Sequence, residues 1–323
     1  MRKLFFTGLL ASACLISPDA ISAASMFDIT GYIDGLYTAV NDQDPHENNK
    51  FEGKGEIDFN SVAMEGRVTG LLDLNYFVES NGNGNGPEEG NYFLDNFAHK
   101  DIQVEQAIAR VNIFDGVGLD VGQFNSDLSW EGQDPVDLYQ TTHGQLFNFY
   151  DQQTSLYGND VIGAQLNTNL KKANIRLGVV NDIGNAKSAQ SLMAMVKGEV
   201  FNGLQMEGSV ITQRHQAGNI YDVNGQYTRG PFLIAAEFMK PEREVKYGWS
   251  STVHYDFGES YGLSGRVDRL HYTTEADKHE TTSYTLAGIW RPKENFDVFL
   301  EYRAYNDGNV NHSLTLEALA MFL

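Results

Sequence analysis

The sequence is short of cysteine, of basic residues, of long apolar runs and of helical periodicity, and each shortage excludes something. Arg2 and Lys3, the apolar run LFFTGLLASACLI and the small residues Ser22 and Ala24 predict a secretory leader over 1–24, cut after Ala24. The one cysteine, Cys14, lies in that leader; a lipoprotein would use it, but Ala11 stands where such a signal usually has Leu. The remaining chain has no cysteine, so an exported protein of this size relies on hydrogen bonds and burial without disulfides. Lys and Arg number 23 against 43 Asp and Glu, and without the leader 21 against 42, a net charge of −21. That balance excludes nucleic acid and an anionic lipid surface as main partners. No stretch beyond the leader nears the about 18 consecutive apolar residues of a membrane helix. No Pro/Ser linker divides residues 25–323, which are expected to form one domain.

What the chain does have is period-two alternation. Tyr247, Trp249, Val253, Tyr255 and Phe257 share one face, and Ser250, Thr252, His254 and Asp256 the other. Phe296, Val298, Leu300 and Tyr302 oppose Asp297, Phe299, Glu301 and Arg303. The same pattern sets Tyr221, Val223 and Tyr227 against Asp222, Asn224 and Gln226, and Ala173, Ile175, Leu177 and Val179 against Asn174 and Arg176. A soluble sandwich buries the apolar face; a membrane barrel turns it to lipid and lines a wet lumen with the polar one.

The connections favour the barrel. Breaks are expected at 41–54, 65–66, 79–100, 115–116, 125–159, 170–172, 182–188 and 201–203. They continue at 214–218, 229–231, 240–246, 258–260, 273–279, 292–294 and 306–310. Long or polar connections alternate with short ones, the pattern of an up-and-down barrel with loops on one membrane side and turns on the other. The expected fold is therefore all-β, a transmembrane antiparallel up-and-down barrel of about 16 strands (range 14–18). Aromatics fall at strand ends on the apolar face: Phe27, Tyr37, Tyr76, Tyr247, Phe257, Tyr284, Trp290, Phe296 and Phe322. The last strand, SLTLEALAMFL, alternates almost to the terminus, with its aromatic, Phe322, penultimate to Leu323.

Gly31, Tyr32 and Asp34 in the first strand, Gln106 and Ala107, and then Gly118, Gly122 and Phe124 before a long loop carry a resemblance. Over its first half the chain resembles the OmpL-like β-barrel porin family of Gram-negative bacteria. The resemblance implies a multi-pass barrel in the cell outer membrane, surrounded by its lipid and assembled through a C-terminal strand read by the barrel-assembly machinery. It also implies a channel and allows a homotrimer; small hydrophilic solutes or cations are its expected cargo, and with no catalytic or ligand motif in the sequence no cofactor and no enzymatic activity are expected.

A barrel this wide leaves an aqueous lumen that something must narrow. The third long connection, 125–159, is the longest, and no Lys or Arg occurs from Val111 to Leu170. Asp134 is expected to cap a short helix with Pro135 at its first position and Gly144 just past its end. Folded inward, Asp127, Glu131, Asp134, Asp137 and Asp151 would form an acidic constriction. The opposing basic wall would come from Arg67, Arg110, Arg176, Arg266 and Arg303, giving passive diffusion with weak to moderate cation preference. Leu146, Phe147, Phe149 and Tyr150 either glue the loop to the wall or form a stacking platform for sugars, which would make a sugar-type channel.

Other chemistry does not assemble. The histidines show no metal spacing, with His46, His99, His215 and His279 in expected loops. The glycine-rich stretch 81–90 reads as an external loop, with a calcium site as the alternative. Ser250, His254 and Asp256 share a face, the nearest approach to a hydrolase trio, and a loop-based adhesin is the remaining alternative.

Overall fold

A strand whose side chains alternate in polarity needs two different solvents, and here each face gets one. The computed structural model describes residues 27–41, 50–63, 66–79, 102–126, 128–132, 135–153, 159–183, 185–213, 218–242, 245–272, 280–308 and 310–322. The expected leader, the 81–90 stretch, and Asp127 and Asp134 lie outside the described residues. The first strands are β1 (Phe27–Asn41), β2 (Lys50–Ala63), β3 (Gly66–Glu79), β4 (Ile102–Phe114) and β5 (Val117–Asn125). After one helix, α1 (Gln145–Gln153), come β6 (Asp160–Leu170), β7 (Ala173–Asp182), β8 (Asn185–Phe201), β9 (Leu204–Ile211) and β10 (Ile220–Arg229). The chain ends with β11 (Phe232–Pro241), β12 (Val245–Phe257), β13 (Tyr261–Tyr272), β14 (Glu280–Lys293), β15 (Phe296–Asn306) and β16 (Val310–Phe322).

Each strand pairs antiparallel with its neighbours in sequence, and β1 pairs with β16 from Gly31↔Phe322 to Asn41↔His312, closing the sheet. Closure matters because an unpaired edge in hydrocarbon would leave a row of unsatisfied amides and carbonyls, each costing several kcal/mol.

Burial identifies the faces. Leu286, Leu300 and Leu316 are about half exposed, while Thr285, Glu301 and Thr315 beside them are buried. Val223, Val253 and Tyr255 are exposed, whereas Asp222, Thr252 and His254 are buried. This is the inverse of a soluble protein: the apolar outside meets lipid and the polar face turns inward. Among the expected belt aromatics, Tyr37, Phe257, Tyr284 and Trp290 are exposed on the outside, and Tyr247 stacks on Phe238 at 5.9 Å. The side chains of Phe27 and Tyr76 lie outside the described residues.

Several connections are shorter than the sequence suggests. Polar segments expected at 41–54, 182–188, 240–246 and 306–310 shrink to 42–49, 183–184, 242–244 and 307–309. The ladder continues through them, pairing Thr38 with Lys50 and Asp182 with Asn185. Backbone hydrogen bonding needs no apolar side chains once a strand clears the lipid, so composition marks the membrane boundary better than the strand end.

An arginine at mid-height on the outward face should be costly. Leu286→Arg should lose about 2–4 kcal/mol of stability in urea unfolding from phospholipid vesicles. Stability equal to that of the parent protein would mean that this face does not meet lipid.

Candidate functional site

The segment between β5 and β6, the third loop, runs inside the barrel. Gly122 prepares its departure: its φ is +137°, and a Cβ there would stand 1.9 Å from the Ala107 carbonyl oxygen. Only glycine allows β5 to lie so close to β4 at this point. Trp130 then donates its Nε1–H to Gln226 Oε1 on β10 at 2.9 Å. Pro135–Asp137 make one 3-10 turn. Tyr139 reaches His254 on β12, their rings 4.4 Å apart, and the Gln140 amide donates to Ser264 Oγ on β13 at 2.8 Å. Thr142 donates through its N–H and its hydroxyl to the Glu301 carboxylate on β15, at 3.1 and 2.6 Å.

The helix expected from Asp134 to Gly144 is thus only a single turn; from Leu138 to Gly144 the backbone bends without forming helix or strand. The physical reason is competition: Tyr139, Gln140 and Thr142 each reach a different wall strand, which helical spacing would not permit. The real helix is α1, one step later. Its signal was present as Leu146, Phe149 and Tyr150 at i, i+3 and i+4.

All three are buried in an apolar cluster with Phe124, Leu128, Val161, Val180, Met239 and Leu270. Apart from Leu128, which belongs to the loop, these residues sit at the loop ends of strands on the otherwise polar inner face. Val180 shares a face with Arg176, and Met239 with Glu237. They interrupt the polar parity where α1 needs an apolar seat. Burying each large side chain contributes about 1.5–3 kcal/mol, so the helix is firmly docked. Tyr150 also donates to Ser126 Oγ at 2.9 Å, tying α1 to the start of the loop. Of the aromatic run, Leu146, Phe149 and Tyr150 face this cluster and Phe147 stacks on His143 at 4.0 Å.

A charged anchor completes the docking. Arg266 on β13 donates to Glu131 Oε1 at 2.7 Å, to Gln140 Oε1 at 2.9 Å and to Asp268 Oδ2 at 2.9 Å. The Gly144 amide donates to the other Glu131 oxygen at 2.6 Å. A Cβ on Gly144 would stand 2.9 Å from that oxygen and 3.0 Å from Asp268 Oδ1. Loop and wall meet here as closely as backbone allows.

The ten candidate residues therefore divide by position. Glu131 is bound to Arg266, and Arg303 stands near both Arg266 and Asp268 on the same wall. Asp137 is exposed beside a cavity, with its carboxyl raised above the ordinary value by partial burial. Asp151 is half-buried on α1. Arg110 pairs with Asp120 through two bonds of 2.5 and 2.7 Å, and Arg176 donates to Asn174 at 3.3 Å. Arg110 and Arg176 line a cavity of about 680 Å³ at the turn end of β4–β7. Arg67 pairs with Arg110 in register, but its side chain, like Asp127 and Asp134, lies outside the described residues. The arginines are thus not one patch opposite the loop: Arg266 and Arg303 belong to the wall on which it is docked.

Beyond the ten candidates, the wall itself supplies acids. Asp34, Asp120, Glu207, Asp222, Glu237, Asp268, Glu301 and Glu317 all turn inward and are buried. Their signal was their position on the polar face of alternating strands. His254 Nε2–H donates to Asp256 Oδ1 at 3.0 Å, and Arg291 donates to the same carboxylate oxygen at 2.6 Å. Ser250 lies four residues before His254 on the same strand, two inward positions toward the loop end.

Solved structures share this fold. OmpT of Vibrio cholerae, in a form lacking loop L8, superposes with a TM-score of 0.63 at 13% identity, covering 92% of this chain and 99% of that one. A triple mutant of the Rhodopseudomonas blastica porin gives 0.65 at 11%, with 92% and 100% covered. The outer-membrane channel DcaP of Acinetobacter baumannii gives 0.62 at 12%, with 92% and 97% covered. The fold is that of the outer-membrane porins. No protein-family model matches the sequence, and no curated protein matches it.

Two outcomes follow from the anchor. Arg266→Ala leaves Glu131 and Asp268 buried without their cation, at a cost of about 3–5 kcal/mol. The loop should loosen, and proteolysis within 126–159 should become faster than in the parent protein; unchanged resistance would mean the anchor is dispensable. The second concerns pH. Burial pushes the Glu131 carboxyl up to about 7, an effect that Arg266 only partly offsets. The folded state then binds that proton more tightly than the unfolded state, so the stabilisation is present at low pH and lost as pH rises through about 7. Glu131→Gln should flatten the decline in stability between about pH 5 and about pH 8; an identical slope in the variant would place the titration elsewhere.

Proposed function

We propose that the chain is a porin of the Gram-negative outer membrane, a water-filled channel for passive diffusion of small hydrophilic solutes with weak to moderate cation preference. The observation that carries this reading is the closed barrel with an apolar outside, a polar inside and an acid-rich loop docked in its lumen. Among the described residues, inward carboxylates outnumber the inward cations Arg110, Arg176, Lys197, Arg266, Arg291 and Arg303, and several of those cations are already engaged by acids. A low-dielectric wall focuses the remaining negative potential into the water it encloses, raising the local concentration of cations.

The constriction is assigned to the acids of the third loop, Asp127, Glu131, Asp134, Asp137 and Asp151. Arg110 and Arg176 supply positive charge toward the turn end. This function needs no catalytic group and no cofactor. Outer-membrane lipid would surround the barrel, the barrel-assembly machinery would read β16, and a homotrimer is compatible with the apolar outer surface. The likeness of the first half to the OmpL-like porins supports the same reading.

In planar bilayers the purified protein should give steady, stepwise conductance and a reversal potential of the sign set by cation flow. Clear anion selectivity would overturn the proposed preference, and absence of steps would overturn the channel. The pair Asp134→Asn and Asp137→Asn should lower cation preference; no change would place those residues outside the conducting path.

A further inference from the structure

Beside the anchor lies a chamber that neither docking nor bulk diffusion explains. It has a volume of about 310 Å³ and is lined by Trp130, Tyr139, Asp137, Gln140, Lys197 and Gln226 among others. The Trp130 and Tyr139 rings are nearly parallel, 7° between planes and 6.5 Å between centroids. Both are held from behind. Trp130 is fixed by its bond to Gln226, and Tyr139 rests on His254. Two large aromatic rings in a polar lumen, oriented by their own partners and only half-buried, are a preformed surface rather than core packing.

The groups around the rings define what fits. Gln226 accepts from Trp130 through its oxygen, which leaves its amide NH₂ to donate. Lys197 is 3.3 Å from Glu207, yet its side chain is 53% exposed, and its ammonium offers further donors. Asp137 supplies acceptors on the exposed side. Glu131, which also lines the chamber, is engaged by Arg266 and Lys197 by Glu207, so the aromatic platform is bordered by both donors and acceptors. We propose that this chamber is a stacking subsite for a neutral saccharide. The C–H face of a pyranose carries a slight positive charge and lies on the negative face of an aromatic ring. Its hydroxyls both donate and accept, which matches carboxylate, ammonium and carboxamide together. A solute of one charge sign would leave either Asp137 or Lys197 opposed. The volume lies at the lower end of small-ligand sites, enough for a sugar ring or two rather than a long chain.

The subsite deepens the channel reading and rests on it only for access to the lumen. The test uses the full protein in planar bilayers with a series of neutral gluco-oligosaccharides as probe. Sugar should interrupt the ion current in a saturable way. Trp130→Ala should raise the half-saturating concentration at least tenfold, while Trp130→Phe, which keeps a ring, should stay within about threefold of the parent. Steady conductance with no interruption by any sugar overturns the subsite and leaves the channel standing. Equal interruption in Trp130→Ala also overturns it, as does current block by benzyltrimethylammonium but not by sugars, which would make the chamber a cation site. A second readout needs no conduction. The chain has three tryptophans, and Trp249 and Trp290 face outward. In a Trp249→Phe, Trp290→Phe background, sugar should change the emission of Trp130 saturably. No change there overturns the subsite even if the channel itself fails to open.

Discussion

The ladder between β1 and β16 is the constraint on which the rest of the molecule depends. In hydrocarbon no water can satisfy a backbone amide, so a sheet survives there only without edges. Once the last strand must meet the first, strand tilt and register are coupled around the whole circumference. Side-chain alternation then becomes a partition between two solvents, lipid outside and water inside. The inward aspartates, glutamates and arginines are a consequence of that partition and would be intolerable on the other face.

Closing sixteen strands creates an interior too wide to fill with wall side chains alone. The third loop responds in two chemically different ways. Near the loop end it behaves like a protein core, with α1 seated on Val180, Met239 and Leu270. Deeper in the lumen it behaves like an ion-pair network, with Arg266 gathering Glu131, Asp268 and Gln140. The apolar part supplies adhesion without direction. The charged part supplies direction, because a guanidinium satisfied on three sides accepts few alternative placements.

Much of this was legible in the residues. Alternation along Tyr247–Phe257 and Phe296–Arg303 assigns the inner and outer faces correctly, and every connection lies near an expected break. The longest basic-free segment is the one that enters the lumen. Strand ends were less legible, because Lys50 and Asn185 join ladders on backbone hydrogen bonds that leave no mark in hydropathy. The loop was least legible. Pro135 and Gly144 resemble helix punctuation, but Gly144 is there for its close approach to Glu131, and tertiary bonds from Gln140 and Thr142 override local preference. The partnership of Glu131 with Arg266 joins residues 135 positions apart, and nothing in single-chain spacing announces it.

That separation has a consequence for how the barrel is built. The third loop leaves from β5, but its partners Gln226, His254, Ser264, Arg266, Thr281 and Glu301 lie on β10 and β12–β15. A slip of one residue in any of those strands would turn its partner outward, and a slip of two would carry it about 7 Å along the strand. The loop therefore acts as an internal gauge of strand alignment. Its contacts all form together only when strands far apart in the chain have reached their correct heights, and a misaligned wall forfeits both the ion pair and the seat of α1.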